Sequence, residues 1–343
     1  MPRSRLAEFV GASDLPPGEV VVLRPPAAHD LSPLPRERTR IVHGFRPDRD
    51  AWAEAGWRVS DEAGEAGTAL VVVPRSRRLG QAMVAEAARA APLVLVDGQR
   101  DHGIDALWRD LRARRPEAEA LTLGHGRLVR LEGGPDLARA FEDWAMPAPA
   151  QGVGGLWTQA GVFGEGGADR ASLMLAEALP ARLPPRMADM GAGVGTLARA
   201  VLAREGVESL DLVEGERLAL DCARLNVTDP RARFLWADAT RGAFGPYDGV
   251  VMNPPFHRDR APDPSLGRAF IAAAARALAP QGHLWMVANR HLPYEEALAG
   301  AFRDVDLLGA GNGFKLIRAG HPRGAKGVAR GTGREVARTR RAR

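Results

Sequence analysis

The chain has 343 residues, 45% of them hydrophobic, a length and composition that suit two packed domains better than one. No apolar run approaches a membrane span and the opening Met-Pro-Arg-Ser-Arg-Leu lacks the apolar core of a signal peptide, so a cytoplasmic protein with no membrane partner is expected. The single cysteine, Cys222, excludes an internal disulfide framework and argues against thiolate metal clusters; a small buried residue on a helix is the expected reading.

The net charge of +5 is unevenly spread. From His321 onward there are eight Lys/Arg and one acid, Glu335, which leaves 39 basic and 41 acidic residues in 1–320. Residues 321–343 therefore read as a basic, disordered tail, suited to phosphate attraction or to solubility alone.

Residues 1–145 alternate strand-like runs at 18–23, 39–45, 68–73 and 92–97 with helical segments at 79–90 and 103–114, a pattern that implies a mainly parallel sheet. No glycine-rich loop follows the first run; Leu23-Arg-Pro-Pro stands there instead, so this half reads as non-catalytic. Arg75, Arg77 and Arg78 after the 68–73 strand suit either phosphate contact or a solvated helix start. The Pro/Ala/Gly stretch between Gly133 and Gly155 reads as a linker, and Phe163 beyond it as either a lid over a cofactor or a surface anchor.

In residues 146–320, four successive strand ends carry polar or glycine-rich signals. A strand at 186–190 runs through Asp189 into Gly191-Ala-Gly193-Val-Gly195, where glycines allow close approach to a ligand. A second ends in Glu214, 25 residues beyond Asp189, placed to accept both ribose hydroxyls of an adenosine-containing cofactor. A third ends near Asp238, an acceptor for an adenine amino group or a loop cap. The fourth, 247–252, stops at Asn253-Pro254-Pro255-Phe256. Two prolines fix φ and remove two amide donors, leaving a rigid elbow with an amide, bare carbonyls and an aromatic face. An Asn oxygen and a carbonyl can together accept both hydrogens of a planar amine while a Phe ring stacks on the base that carries it. A nicotinamide enzyme has no use for such an elbow, so the set favours S-adenosylmethionine over NAD. Three further strands at 282–288, 302–308 and 313–317 bring this half to seven.

On Asp189-Met-Gly-Ala-Gly-Val-Gly195, Asn253-Pro-Pro-Phe-His257, Asn289-Arg-His-Leu-Pro-Tyr294 and Gly313-Phe-Lys-Leu-Ile317, the chain resembles the bacterial ribosomal RNA guanine-N2 methyltransferases of the small-subunit type. The resemblance implies an α/β fold of two Rossmann-like methyltransferase domains. The N-terminal one (1–145) is degenerate and serves recognition; the C-terminal one (146–320) is a seven-stranded class I sheet dependent on S-adenosylmethionine. It implies that Gly191, Gly193 and Gly195 line the cofactor's methionine side with Asp189 nearby, Glu214 the ribose and Asp238 the adenine. Asn253, Pro254, Pro255 and Phe256 form the catalytic elbow, Asn253 bordering the cofactor as well, and Phe163 the lid. The partner implied is ribosomal RNA or a ribosomal subunit, with no metal. Methylation of large-subunit guanine, of nucleic-acid adenine at N6 or of protein glutamine stays open, as does a non-enzymatic ribosome-assembly factor.

Overall fold

The computed structural model describes residues 4–12, 15–152, 154–162, 169–255, 257–258, 261–262 and 264–323. Phe163, Phe256 and the tail from residue 324 lie outside the described residues.

Helix α1 (Arg5–Ala12) precedes β1 (Val20–Leu23), β2 (Thr39–Val42), α2 (Arg46–Glu54), β3 (Arg58–Ser60), β4 (Thr68–Val72), α3 (Arg77–Ala90), β5 (Leu93–Gln99), α4 (Ile104–Arg114), β6 (Glu119–Leu123), β7 (Gly126–Glu132) and α5 (Gly134–Ala140). A two-residue pair, β8 (Ala150–Gln151) with β9 (Trp157–Thr158), then leads to α6 (Arg170–Ala178). The second sheet comes next: β10 (Arg186–Met190), α7 (Thr196–Leu202), β11 (Ser209–Glu214), α8 (Arg217–Asn226), β12 (Ala232–Trp236) and β13 (Tyr247–Met252). A small pair, β14 (His257–Arg258) with β15 (Ala261–Pro262), precedes α9 (Pro264–Ala277), β16 (Leu278–Asn289), α10 (Glu295–Ala301), β17 (Phe302–Gly311) and β18 (Phe314–Pro322).

Each sheet is covered by helices on both faces, which is why its central strands are continuous apolar runs. All five residues of β4 are buried. Alternate residues divide between two cores: Val21, Leu23, Ala69 and Val71 pack with α3, α4 and α5, while Val20, Val22 and Leu70 pack with Leu6 of α1 and Trp52 of α2. Three strands of the first half were not legible in the sequence. β3 is a half-exposed edge of three residues, and the β6–β7 hairpin mixes charge with apolar positions. Its turn puts Gly124 and His125 at φ 59° and 60°, a left-handed pair that matches the twist of a tight hairpin. In the expected linker, Trp144 is buried against Phe141. The last strand reaches Pro322, two residues into the segment expected to be tail, because His321 and Pro322 continue its pairing with β17.

The two sheets have the same strand order, β3-β2-β1-β4-β5-β7-β6 and β12-β11-β10-β13-β16-β18-β17. Their registers also correspond. Leu23 pairs with Val42 as Met190 pairs with Val213. The next residue closes the same turn in each half, Arg24 N–H to the Val42 carbonyl and Gly191 N–H to the Val213 carbonyl, both at 2.8 Å. By this register Val22 stands where Asp189 does, Arg24 where Gly191 does, and His43 where Glu214 does. With Val22 opposite Leu70 and Asp189 opposite Val251, Val72 falls on the position of Asn253. The first half keeps the shape of the second, but at these positions it has neither the carboxylates, the amide nor the glycine.

Candidate active site

The strand ends of the second half bring Asp189, Glu214, Asp238 and Asn253 to one edge of the sheet, in parallel neighbours β10, β11, β12 and β13. Gly191, Gly193 and Gly195 have φ of 78°, 55° and 88°, a region that side-chain-bearing residues adopt only with strain. A Cβ on Gly195 would come within 2.9 Å of Val227, so this glycine lets α7 and α8 pack closely. A Cβ on Gly193 would meet nothing within 4 Å, so the middle of the loop faces open space that a ligand can approach. Asn226, at the end of α8, ties the loop down: its Nδ2 donates to the carbonyls of Val194 and Trp157, and its Oδ1 accepts from Trp157 N–H.

Glu214 accepts from Gly193 N–H at 2.8 Å and from Glu216 N–H at 2.7 Å. Burial raises its pKa, and those two amide donors pull it back. Each oxygen keeps a further lone pair for a hydroxyl donor. Asp189 is fully buried, and neither carboxylate oxygen has a hydrogen-bond partner among the described residues. Burial, with the charge of Glu214 second, pushes its carboxyl up to about 8. It caps no turn. An orphaned buried carboxylate beside a second one, at the mouth of a loop with an open face, fits a cationic, ribose-bearing cofactor such as S-adenosylmethionine.

That carboxyl makes stability depend on pH. Its unfolded pKa is near 3.8 and its folded pKa about 8, so folding takes up a proton between those values. The contribution is complete at the acid end and is lost as pH rises through 8. The thermal midpoint of Asp189→Asn relative to wild type is expected to climb between pH 5 and pH 9, by an amount equivalent to about 4 kcal/mol, or about 1.4 kcal/mol for each pH unit up to 8. Parallel pH profiles of the two midpoints in scanning calorimetry would contradict this.

Asp238 spends Oδ1 on a local turn, accepting from Thr240 N–H and Oγ1 at 2.8 and 2.6 Å; Oδ2 makes no hydrogen bond among the described residues. Asn253 is half-buried, Pro254 buried and Pro255 exposed at the elbow. The Asn253 Nδ2 donates to Asp169 Oδ2 and, at 3.1 Å, to Ser172 Oγ. A carboxylate can only accept, so this contact fixes which end of the amide faces inward and leaves Oδ1 as the outward acceptor. Asp169 is also the N-cap of α6, accepting from Ala171 and Ser172 N–H. Neither Asp169 nor Ser172 was found from sequence. An aspartate just before a helical run is a capping signal, but nothing local relates it to an amide 84 residues on.

Two sequence motifs prove to be packing devices. Lys315, nearly buried, donates to the Leu292 carbonyl at 2.7 Å and to Glu295 at 2.5 Å, joining β18 to the turn after β16. Tyr294 is buried against α9, beneath Gly267. Cys222 is buried, its thiol pushed up to about 11 by burial.

Residues 154–318 match the methyltransferase small domain. Ribosomal RNA small subunit methyltransferase C of Shewanella sp. strain MR-7 is 30% identical over 261 residues, 73% of this chain and 75% of that protein. The protein of the same name from Shewanella halifaxensis is 33% identical over 158 residues, 46% of each chain. A T. thermophilus 16S rRNA guanine-N2 methyltransferase, solved with AdoMet and guanosine, superposes with a TM-score of 0.74 at 23% identity, over 93% of this chain and 92% of that one. That superposition extends the shared fold to both halves, and the Shewanella MR-7 relative places the chain in the ribosomal RNA small subunit methyltransferase C family.

Proposed function

We propose that the protein transfers a methyl group from S-adenosylmethionine to the exocyclic N2 amine of a guanine in small-subunit ribosomal RNA. The observation that carries the site assignment is the orientation of Asn253, whose amide nitrogen is held by Asp169 and Ser172 so that Oδ1 faces outward. Gly191, Gly193 and Gly195 cradle the cofactor's methionine side beside Asp189. Glu214 accepts the ribose hydroxyls, and Asp238 receives the adenine amine through the oxygen its turn leaves open.

When bound, the cofactor supplies an electrophilic methyl on a sulfonium. The amine of guanine is a weak nucleophile because its lone pair is delocalised into the ring. Asn253 Oδ1 and the Pro254 carbonyl accept its two N–H groups, which draws the nitrogen toward tetrahedral geometry and orients the lone pair. Prolines at 254 and 255 keep the elbow rigid and free of competing N–H donors. Phe256 replaces the stacking that the base loses on leaving its helix. The contribution is positioning and local electrostatics, with no covalent intermediate. The first half serves RNA recognition; Arg77 opens α3 and pairs with Asp110 at 2.6 Å, so this cluster serves the helix start as well as any phosphate.

The test is transfer of labelled methyl to unmethylated ribosomal subunits, free rRNA, DNA and release factors, followed by nucleoside analysis. N2-methylguanosine in small-subunit rRNA is expected. Label on adenine or on protein would overturn the substrate assignment.

A further inference from the structure

The loop that carries Glu214 is held from outside its own half. Arg46 N–H donates to the Gly215 carbonyl at 2.8 Å, and Arg217 N–H donates to the Gly44 carbonyl at 2.9 Å. These are corresponding residues, Gly44-Phe45-Arg46 against Gly215-Glu216-Arg217, so the two loops grip each other reciprocally. Trp236 closes the grip, its indole N–H donating to the carbonyls of Gly215 and Gly44 at 2.8 and 3.1 Å. The guanidiniums of Arg46, Arg49 and Arg217 lie 5.4, 5.6 and 5.5 Å from its ring centre.

Arg24 completes this contact. It occupies the position of Gly191 and keeps that glycine's left-handed turn, with φ 51°, although it bears a side chain. The guanidinium passes over Gly44, where a Cβ would come within 2.5 Å of Nη1. It reaches Glu216 with Nη2 to Oε2 at 2.5 Å and Nη1 to Oε1 at 3.4 Å. Glu216 in turn gives its backbone N–H to Glu214 and caps α8 through Leu218 N–H. His43, at the position of Glu214, makes the mirror contact, its Nδ1 accepting from Phe45 N–H at 3.0 Å.

We propose that Arg24 is a positioning residue for the cofactor site: by clamping Glu216 it holds the turn whose N–H aims the Glu214 carboxylate. This rests on the reading that Glu214 binds the ribose. Arginine suits the task because its planar fork fixes a carboxylate in two directions, and the strained backbone under it is retained to place that fork. Without it, the Glu216 carboxylate loses its cation and stands beside Glu214 as a like charge, and the turn must be ordered anew each time cofactor binds.

The experiment uses the full chain with S-adenosylmethionine titrated by calorimetry, and steady-state methyl transfer at saturating RNA. Arg24→Met is expected to weaken cofactor binding about tenfold and raise KM for the cofactor equally, with kcat at saturating cofactor unchanged. Arg24→Lys, which keeps the charge but not the fork, should recover part of the loss. Glu214→Ala separates the two claims. If it weakens binding while Arg24→Met binds as wild type does, the positioning role is wrong and the site reading stands. If Glu214→Ala itself binds normally, the site reading fails and takes this inference with it. If Arg24→Met lowers kcat and affinity together, melts several degrees lower and is not rescued by lysine, Arg24 is a general interface residue and the proposal is overturned.

Discussion

Asn253→Ala should lower kcat by about three orders of magnitude or more while leaving cofactor affinity within several-fold. The side chain is assigned to the amine of the target, at the end of β13, whereas the cofactor's polar contacts are assigned to β10, β11 and β12. Its oxygen matters most as the nitrogen becomes tetrahedral and its hydrogens more acidic, so the loss falls on the transition state more than on ground-state binding. Removing one fixed group of this kind typically costs about 10²–10³ in rate, and here the loss of orientation adds to the loss of the acceptor. Single-turnover methyl transfer paired with calorimetry separates the two quantities. Loss of cofactor binding in step with turnover would contradict the division of labour.

Asp169→Asn should lower kcat by about ten- to a hundredfold with the thermal midpoint nearly unchanged. The variant is chosen because asparagine caps a helix as well as aspartate does, so α6 keeps its start. It does not keep the one property that fixes Asn253, a group that can only accept. With an amide facing an amide, Asn253 can present either Nδ2 or Oδ1 outward, and the Nδ2 orientation offers the target amine a donor in place of an acceptor. Asp169→Ala gives the complementary result, losing the cap as well and about 1 kcal/mol of stability. Wild-type turnover in Asp169→Asn, or equal loss of stability in both variants, would show that the carboxylate serves the helix alone.

Much of this was legible in the sequence for a physical reason. Buried parallel strands such as β4 and β13 are runs of apolar residues that end abruptly. In the second half the groups proposed for the site sit directly after those ends and so lie close in sequence to the apolar signal: three glycines, a Glu, an Asp, an Asn-Pro-Pro. The missing pieces are those that depend on distant partners. Asp169 reads as a helix cap until β13 is brought beside it. Arg24 reads as the absence of a glycine, because nothing in Leu23-Arg-Pro-Pro reveals that the backbone keeps the glycine's left-handed turn. The edge strands β3 and β6 were invisible because exposed positions carry no apolar signal.

The reciprocal grip of the two β-to-helix loops has a consequence for how the halves divide their labour. It is an isologous contact, the kind by which identical subunits form a two-fold dimer, here enclosed in one polypeptide. In a true dimer any substitution appears on both sides, so neither subunit can abandon the chemistry without the other. Joining the subunits covalently removes that constraint and fixes the ratio at one reacting half to one partner half. That freedom suits Val22, Arg24, His43 and Val72, four places where the residue in register with one of the second half differs from it in chemistry while the backbone keeps the same pairing.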